Sequence, residues 1–235
     1  MNAPLNSDDF SLFSGVVFDL DGTLIDTLPD ILAALNRVMS EEGLRQIDYE
    51  EGRTFVGGGA HNLIEKAFAA IGANADDPRI DPAFDRFIRY YEEKPAIRST
   101  FFPGIEDCLA AFSDAGVKMG ICTNKPIGLT RQIIGEMKIA DYFGEAVLGG
   151  DSLPVRKPDA AHLKEVIRLM DVPLDKTVMI GDSETDVGAA RNAGLPVIAV
   201  DFGYTALPPE KIGADVLISS FFDLPAALRQ VAAYS

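Results

Sequence analysis

The chain is short of cysteine, histidine and positive charge: two Cys, two His and 21 Lys and Arg against 36 Asp and Glu in 235 residues. Each scarcity removes a class of protein. Cys108 and Cys122 form no C-x-x-C pair and are too few for a disulfide framework, so a reducing compartment is expected and both read as small core residues. Two isolated histidines, His61 and His162, do not make a zinc site and read as surface or packing residues. A formal net charge of -15 argues against nucleic-acid binding, which needs clustered Lys and Arg to neutralise phosphates. An anionic substrate would therefore need a local positive site. No basic stretch followed by an apolar run opens the chain, and its apolar runs fall far short of the roughly 20 residues of a membrane span. The expectation is a soluble, cytoplasmic protein with neither nucleic acid nor membrane as partner. Internal repeats and low-complexity segments are also lacking.

Apolar residues are plentiful at 47%, which excludes disorder and suffices for one full core plus a smaller domain. Short β-branched runs alternate with amphipathic segments, the pattern of βα units around a parallel sheet. Strands are expected at Val16 to Leu20, Val117 to Cys122, Ala146 to Leu148, Thr177 to Ile180 and Pro196 to Val200, with an edge strand at Val216 to Ile218. Helices are expected at Ile105 to Ala115, Ile127 to Met137, Ala160 to Met170 and Thr185 to Ala193, with Gly116 and Gly194 as C-terminal glycines. Residues 28–96 break the alternation. They read as helices (Pro29 to Glu42, Ala60 to Ile71, Pro82 to Glu93) with Pro29 and Pro82 at helix starts, and so as an insertion after the first strand. The first dozen residues read as a loose polar lead.

Four constellations fall at strand ends. Asp19-Leu20-Asp21-Gly22-Thr23 follows Val16-Val17-Phe18, and the strand period of two aims Asp19 and Asp21 at one point outside the carboxyl end of a parallel sheet. Two such acids either raise one another's pKa or share a cation. Thr123-Asn124 follows the strand ending at Cys122, where a hydroxyl and neighbouring N–H groups can hold phosphate oxygens. Lys157-Pro158 offers a compact positive charge before a helix. Gly181-Asp182-Ser183-Glu184-Thr185-Asp186 closes another strand, and Asp19 with Asp182 supplies hard oxygen ligands suited to Mg²⁺. Each motif alone has a plainer alternative. The Asp-x-Asp pair suits a turn or helix cap, Thr123-Asn124 a loop, Asp186 a first-turn helix acid, Asp151 a turn, and Asp26 and Thr27 a cap or hinge into the insertion.

Together, in this order and spacing, the four motifs resemble the haloacid dehalogenase superfamily of phosphatases and mutases over nearly the whole chain. Within it the sequence is most similar to the phosphoglycolate phosphatases, through the run Phe18 to Thr27, Thr123-Asn124-Lys125-Pro126, and Gly181-Asp182-Ser183 followed by Asp186. The resemblance implies a Rossmann-like three-layer α/β core with a parallel sheet (1–27 and 97–235) and a small α-helical cap (28–96) hinged near Leu28-Pro29 and Lys94-Pro95-Ala96. It implies Asp19 as nucleophile, Asp21 as general acid and base, Thr123 and Asn124 as phosphate ligands, and Lys157 as charge clamp. It further implies a Mg²⁺ site formed by Asp19, Asp21 (through its backbone carbonyl), Asp182 and Asp186. In the cap, Arg53 and the Gly57-Gly58-Gly59 turn, with Gly58 at its centre, are candidates for meeting a substrate carboxylate, the alternative being a tight turn with Arg53 solvated. The implied activity is Mg²⁺-dependent phosphomonoester hydrolysis of a small phosphorylated metabolite such as 2-phosphoglycolate by a monomer or homodimer. A phosphosugar mutase, pyrophosphatase or broad-specificity sugar phosphatase would use the same acids, and a non-catalytic binding protein is the remaining alternative. Carbon–halogen cleavage is disfavoured, because it needs neither the acid at Asp21 nor the metal cluster.

Overall fold

The computed structural model describes residues 7–233. Its strands are β1 (Gly15–Phe18), β2 (Ile25–Asp26), β3 (Thr100–Phe101), β4 (Lys118–Cys122), β5 (Val147–Leu148), β6 (Thr177–Gly181), β7 (Val197–Val200) and β8 (Val216–Ile218). The helices are α1 (Ser7–Phe10), α2 (Leu28–Glu41), α3 (Tyr49–Arg53), α4 (Ala60–Ala69), α5 (Ile80–Glu93), α6 (Ile105–Asp114), α7 (Ile127–Glu136), α8 (Ala160–Met170), α9 (Glu184–Ala193) and α10 (Leu224–Ala232). No helix among these is long and apolar enough to cross a membrane.

Six strands form one parallel sheet in the order β5-β4-β1-β6-β7-β8. Every expected strand is present, because runs such as Val-Val-Phe and Val-Ile-Ala-Val suit a sheet buried on both faces. Their side chains alternate. Val16, Phe18, Val178, Ile180, Ile198 and Val200 join one apolar cluster, with Leu109 and Phe112 of α6 and Leu228 of α10. Val17, Met179, Val197 and Ala199 join another, with Leu163 and Val166 of α8 and Ala190 of α9. Helices thus cover both faces, giving the three-layer α/β fold. Chain connections leave β1 for β4 on one side and the sheet continues to β6 on the other, so the carboxyl end of β1 opens on a crevice where ligands of such sheets gather.

Helices α1, α3 and α10 and the short strands β2 and β3 escaped the sequence pattern. β2 and β3 pair antiparallel (Ile25 with Phe101, Asp26 with Thr100), and α2 to α5 lie between them in the chain. Asp30 ties the returning chain down by accepting from the N–H groups of Arg98 and Ser99 and from Ser99 Oγ, the last at 2.7 Å. The amphipathic faces of α2, α4 and α5 bury Leu35, Val38, Ile64, Phe68, Ala83 and Phe87 against one another. Helix α5 begins two residues ahead of Pro82, leaving the proline in the first turn, where no intrahelical N–H is needed. The expected loose lead is corrected in part: Phe10 is fully buried and meets Phe112 edge-on at 4.7 Å, while residues 1–6 lie outside the described residues.

Candidate active site

Three neighbouring strand ends carry the acids and their partners. Asp19 follows β1, Thr123 follows β4 and Asp182 follows β6. Ladder bonds continue past the strands, from Asp19 N–H to Ile180 O at 2.9 Å and from Thr123 N–H to Leu148 O at 3.1 Å, and fix both residues. Asp19, Thr123, Asn124, Lys125, Lys157, Asp182 and Asp186 are all buried. Charges kept from water this way must be paired with one another or with an ion.

Lys157 sits between two of them. Its Nζ lies 2.6 Å from Asp186 Oδ1 and 2.8 Å from Asp19 Oδ1. Only the Asp186 contact has hydrogen-bond geometry; the Asp19 contact is Coulombic, and Asp19 Oδ1 is left buried without a hydrogen bond. Burial opposes the lysine's charge, but Asp186 and Asp19 outweigh it and hold its pKa above the usual range. The other Asp186 oxygen accepts from the N–H groups of Asp182 (3.1 Å) and Ser183 (3.0 Å) and from Ser183 Oγ (2.6 Å), closing a capping box on α9. Asp186 is therefore engaged on both oxygens.

Asp19, Asp182 and Asp186 bring carboxylate oxygens within 4.8 Å of one another. Lys157 offsets one of these three negative charges. Burial, then the neighbouring acids, pushes Asp19 up to about 6 against the pull of Lys157, and burial, then Asp186 and Asp19, raises Asp182 well above the carboxylate range. Among the described residues, Asp182 receives only neutral donors, Thr23 Oγ1 at 3.0 Å and Tyr204 N–H at 2.5 Å. The surplus charge and the unbonded Asp19 oxygen fit a hard cation held by oxygen ligands.

Asp21 faces a different set of groups. Its Oδ1 accepts from Thr27 Oγ1 at 2.6 Å and Lys125 Nζ at 2.9 Å, and its Oδ2 from Lys125 at 3.1 Å. Lys125 also donates to Tyr91 Oη of α5 at 2.8 Å, and its pKa is lowered by burial against the pull of Asp21. Thr27 stands at the N-cap position of α2, but its side chain makes no cap bond and serves Asp21 instead. Lys125 was visible in the Thr-Asn-Lys-Pro stretch without a role. Tyr91 had no sequence signal beyond a helical apolar face.

A cavity between the strand ends and the inserted helices is lined by Asp19, Asp21, Thr123, Asn124 and Lys125 on one side and Ile31, Val56, Leu63, Phe87 and Tyr91 on the other. The centre of a water-sized sphere sweeps about 40 Å³ of it, room for a few small groups. Asn124 spans the two sides, its amide donating to Gly57 O at 2.9 Å and Lys157 O at 3.1 Å. Gly57 and Gly59 line the cavity; Gly58 does not, and it backs onto Asn62. Arg53 also lies off the cavity wall, donating to Gly203 O at 2.5 Å. His61 is exposed beside Glu65 and Asp81, and His162 is buried between Cys122 Sγ and Gly149 O. Asp151 accepts from Ile127 N–H at the start of α7.

A three-layer α/β protein with buried acids and a lysine at the switch point of its sheet has the build of the α/β proteins that hold ligands outside the carboxyl ends of their strands. Residues 16–200 match the family model described as haloacid dehalogenase-like hydrolase, and the chain belongs to that family. It is 41% identical over 212 residues to a phosphoglycolate phosphatase of Caulobacter vibrioides, covering 90% of this chain and 89% of that one. It is 38% identical to a phosphoglycolate phosphatase of Agrobacterium fabrum, covering 90% and 91%. Among solved structures, a predicted phosphoglycolate phosphatase from Haemophilus somnus superposes with a TM-score of 0.85 at 28% identity, covering 92% of this chain and 98% of that chain.

Proposed function

We propose that this hydrolase is a Mg²⁺-dependent phosphomonoesterase that works through an aspartyl-phosphate on a small phosphate ester, 2-phosphoglycolate being the favoured substrate. The observation carrying the reading is the Asp19 carboxylate, ion-paired to Lys157 at 2.8 Å, on the wall of a cavity that Asp21, Thr123 and Lys125 also line. A carboxylate that faces a cavity, with a lysine keeping its negative charge, is suited to attack phosphorus.

Asp19 oxygen bonds to phosphorus as the ester oxygen departs, and Asp21 supplies that oxygen with a proton. Water then attacks the aspartyl-phosphate, Asp21 takes its proton, and phosphate leaves with Asp19 regenerated. Thr123 and the neighbouring N–H groups hold phosphoryl oxygens, and Lys157 neutralises charge on them. Mg²⁺, when bound, supplies charge neutralisation and orientation of the phosphoryl oxygens, and Asp19 and Asp182 are the carboxylates that fit it. Asp21 has its carboxylate engaged by Thr27 and Lys125, which leaves its backbone carbonyl for the ion. Asp186, engaged on both oxygens, serves as the anchor of Lys157 rather than as a ligand.

Residues 28–96 act as a cap whose apolar wall limits the leaving group. Of the two cap candidates for the substrate carboxylate, Arg53 is turned to Gly203, so the Gly57-Gly58-Gly59 turn, which puts Gly57 and Gly59 on the cavity wall, takes that role in this reading. The test is phosphate release from 2-phosphoglycolate, sugar phosphates and pyrophosphate, with Mg²⁺ and with EDTA, using Asp19→Asn as blank. Metal-dependent release greatest for 2-phosphoglycolate is expected; a maximum elsewhere overturns the substrate, and metal-independent release overturns the mechanism.

A further inference from the structure

The loop after β7 carries no recognisable motif, yet its residues 203 and 204 reach a presumed ligand, the insertion's point of departure and the insertion itself. Tyr204 N–H donates to Asp182 Oδ2 at 2.5 Å. Tyr204 Oη donates to the Asp26 carboxylate of β2 and accepts from the N–H of Leu28, the first residue of α2, at 3.0 Å. Gly203 O accepts from Arg53 at the last residue of α3. The first residue of α3 completes the ring, since Tyr49 Oη lies 3.4 Å from Asp26 Oδ2.

The loop cannot shift without Asp182 noticing. A Cβ on Gly203 would fall 2.2 Å from Asp182 Cβ, so glycine is required for this approach. Tyr204 is 2% exposed, and on its other side Phe202 packs on Phe102 and Phe221 at ring-centroid distances of 4.6 and 5.8 Å. Hydrogen-bond donors behind a metal ligand set its orientation and its affinity for the ion.

We propose that Tyr204 is a positioning residue that ties cation affinity at Asp182 to the seating of α2 and α3 over the sheet. The inference rests on the reading of Asp182 as a Mg²⁺ ligand. With the insertion seated, Arg53 and Tyr49 brace the loop and β2, and Tyr204 N–H holds Asp182 Oδ2 in place. With the insertion lifted, those two contacts part and the loop loses its brace. Linkage makes the effect reciprocal: whatever factor seating adds to cation affinity, the cation adds to seating.

The experiment is calorimetric titration of Mg²⁺ into the substrate-free full chain. Tyr204→Phe keeps the ring but loses both side-chain bonds, and its Kd for Mg²⁺ should rise about tenfold, the scale of one lost hydrogen bond to a charged group. Arg53→Ala, which touches no proposed ligand, should raise Kd about threefold. Asp26→Asn retains an acceptor for Tyr204 and should bind as the wild type does, whereas Asp26→Ala should follow Tyr204→Phe. Wild-type Kd in both Tyr204→Phe and Arg53→Ala overturns the coupling, and if Tyr204→Phe fails to fold by circular dichroism, Arg53→Ala decides alone. Absence of Mg²⁺ binding to the wild type, or undiminished binding to Asp182→Asn, overturns the ligand assignment and the coupling with it.

Discussion

The sheet and the inserted helices build opposite halves of one cavity from different materials. On the sheet side, five buried charged groups and Thr123 are held by strand ends, a capping box and one another. The inserted side contributes Ile31, Val56, Leu63 and Phe87, with Tyr91 as its polar contact to Lys125. Its own charges sit away from the cavity, in exposed pairs such as Arg37 with Glu93 and Arg45 with Glu51, or, at the buried Asp30, on the returning chain at Arg98 and Ser99. Chemistry therefore depends on hydrogen-bonded precision in one region, and fit depends on apolar shape in the other.

The sharpest way to break this division is Lys157→Met. It strips two buried carboxylates of their counter-charge, and phosphatase activity should fall at least about 10³-fold. Loss of one partner from a buried pair should also lower the stability of the metal-free protein by about 3–5 kcal/mol in denaturant titration. Phe87→Ala on the opposite wall should cost about 3 kcal/mol of stability and raise KM more than it lowers kcat. An equal loss in kcat would erase the distinction between the walls.

A third comparison sets pH against His162, whose pKa is lowered by burial and then by Lys157. The unfolded chain takes up its proton near the ordinary value of about 6.5, before the folded chain does, so the fold's stability is complete above that value and declines as pH falls below it. Wild-type Tm should therefore drop more than that of His162→Gln between about pH 7.5 and about pH 5.5. Parallel curves would remove the histidine from the account. The smallest effect is expected at Arg37→Ala, an exposed pairing between α2 and α5, which should leave Tm unchanged if the apolar faces hold the insertion.

The strands and the four strand-end motifs were legible because each is written in consecutive residues: a β-branched run, then the acid, hydroxyl or lysine it presents. Helices α2, α4 and α5 of 28–96 were legible from apolar spacing and from Pro29 and Pro82, whereas the five-residue α3 was not. What escaped depends on partners far apart in the chain. Nothing near Asp21 announces that Lys125 and Tyr91 will reach it, nothing in Asp182 names Tyr204, and Thr27 looks like any helix cap. Two-residue strands such as β2 and β3 have no periodicity to read, and Phe10 is a single apolar residue amid polar neighbours.

The antiparallel pairing of β2 with β3 makes the insertion a cassette. Asp26 stands opposite Thr100, and paired strands run about 5 Å apart, so the chain departs and returns at nearly one point. A turn of two or three residues would rejoin the ends and leave the six-stranded sheet with every ladder intact. A different helical module spliced onto the same pair of strands would keep those ladders but lose the contacts of Tyr91 with Lys125, Gly57 with Asn124 and Arg53 with Gly203. The two regions are thus joined at one point of the backbone but at several points of the site, so an exchanged module has to restore those contacts before the strand-end residues sit as they do here.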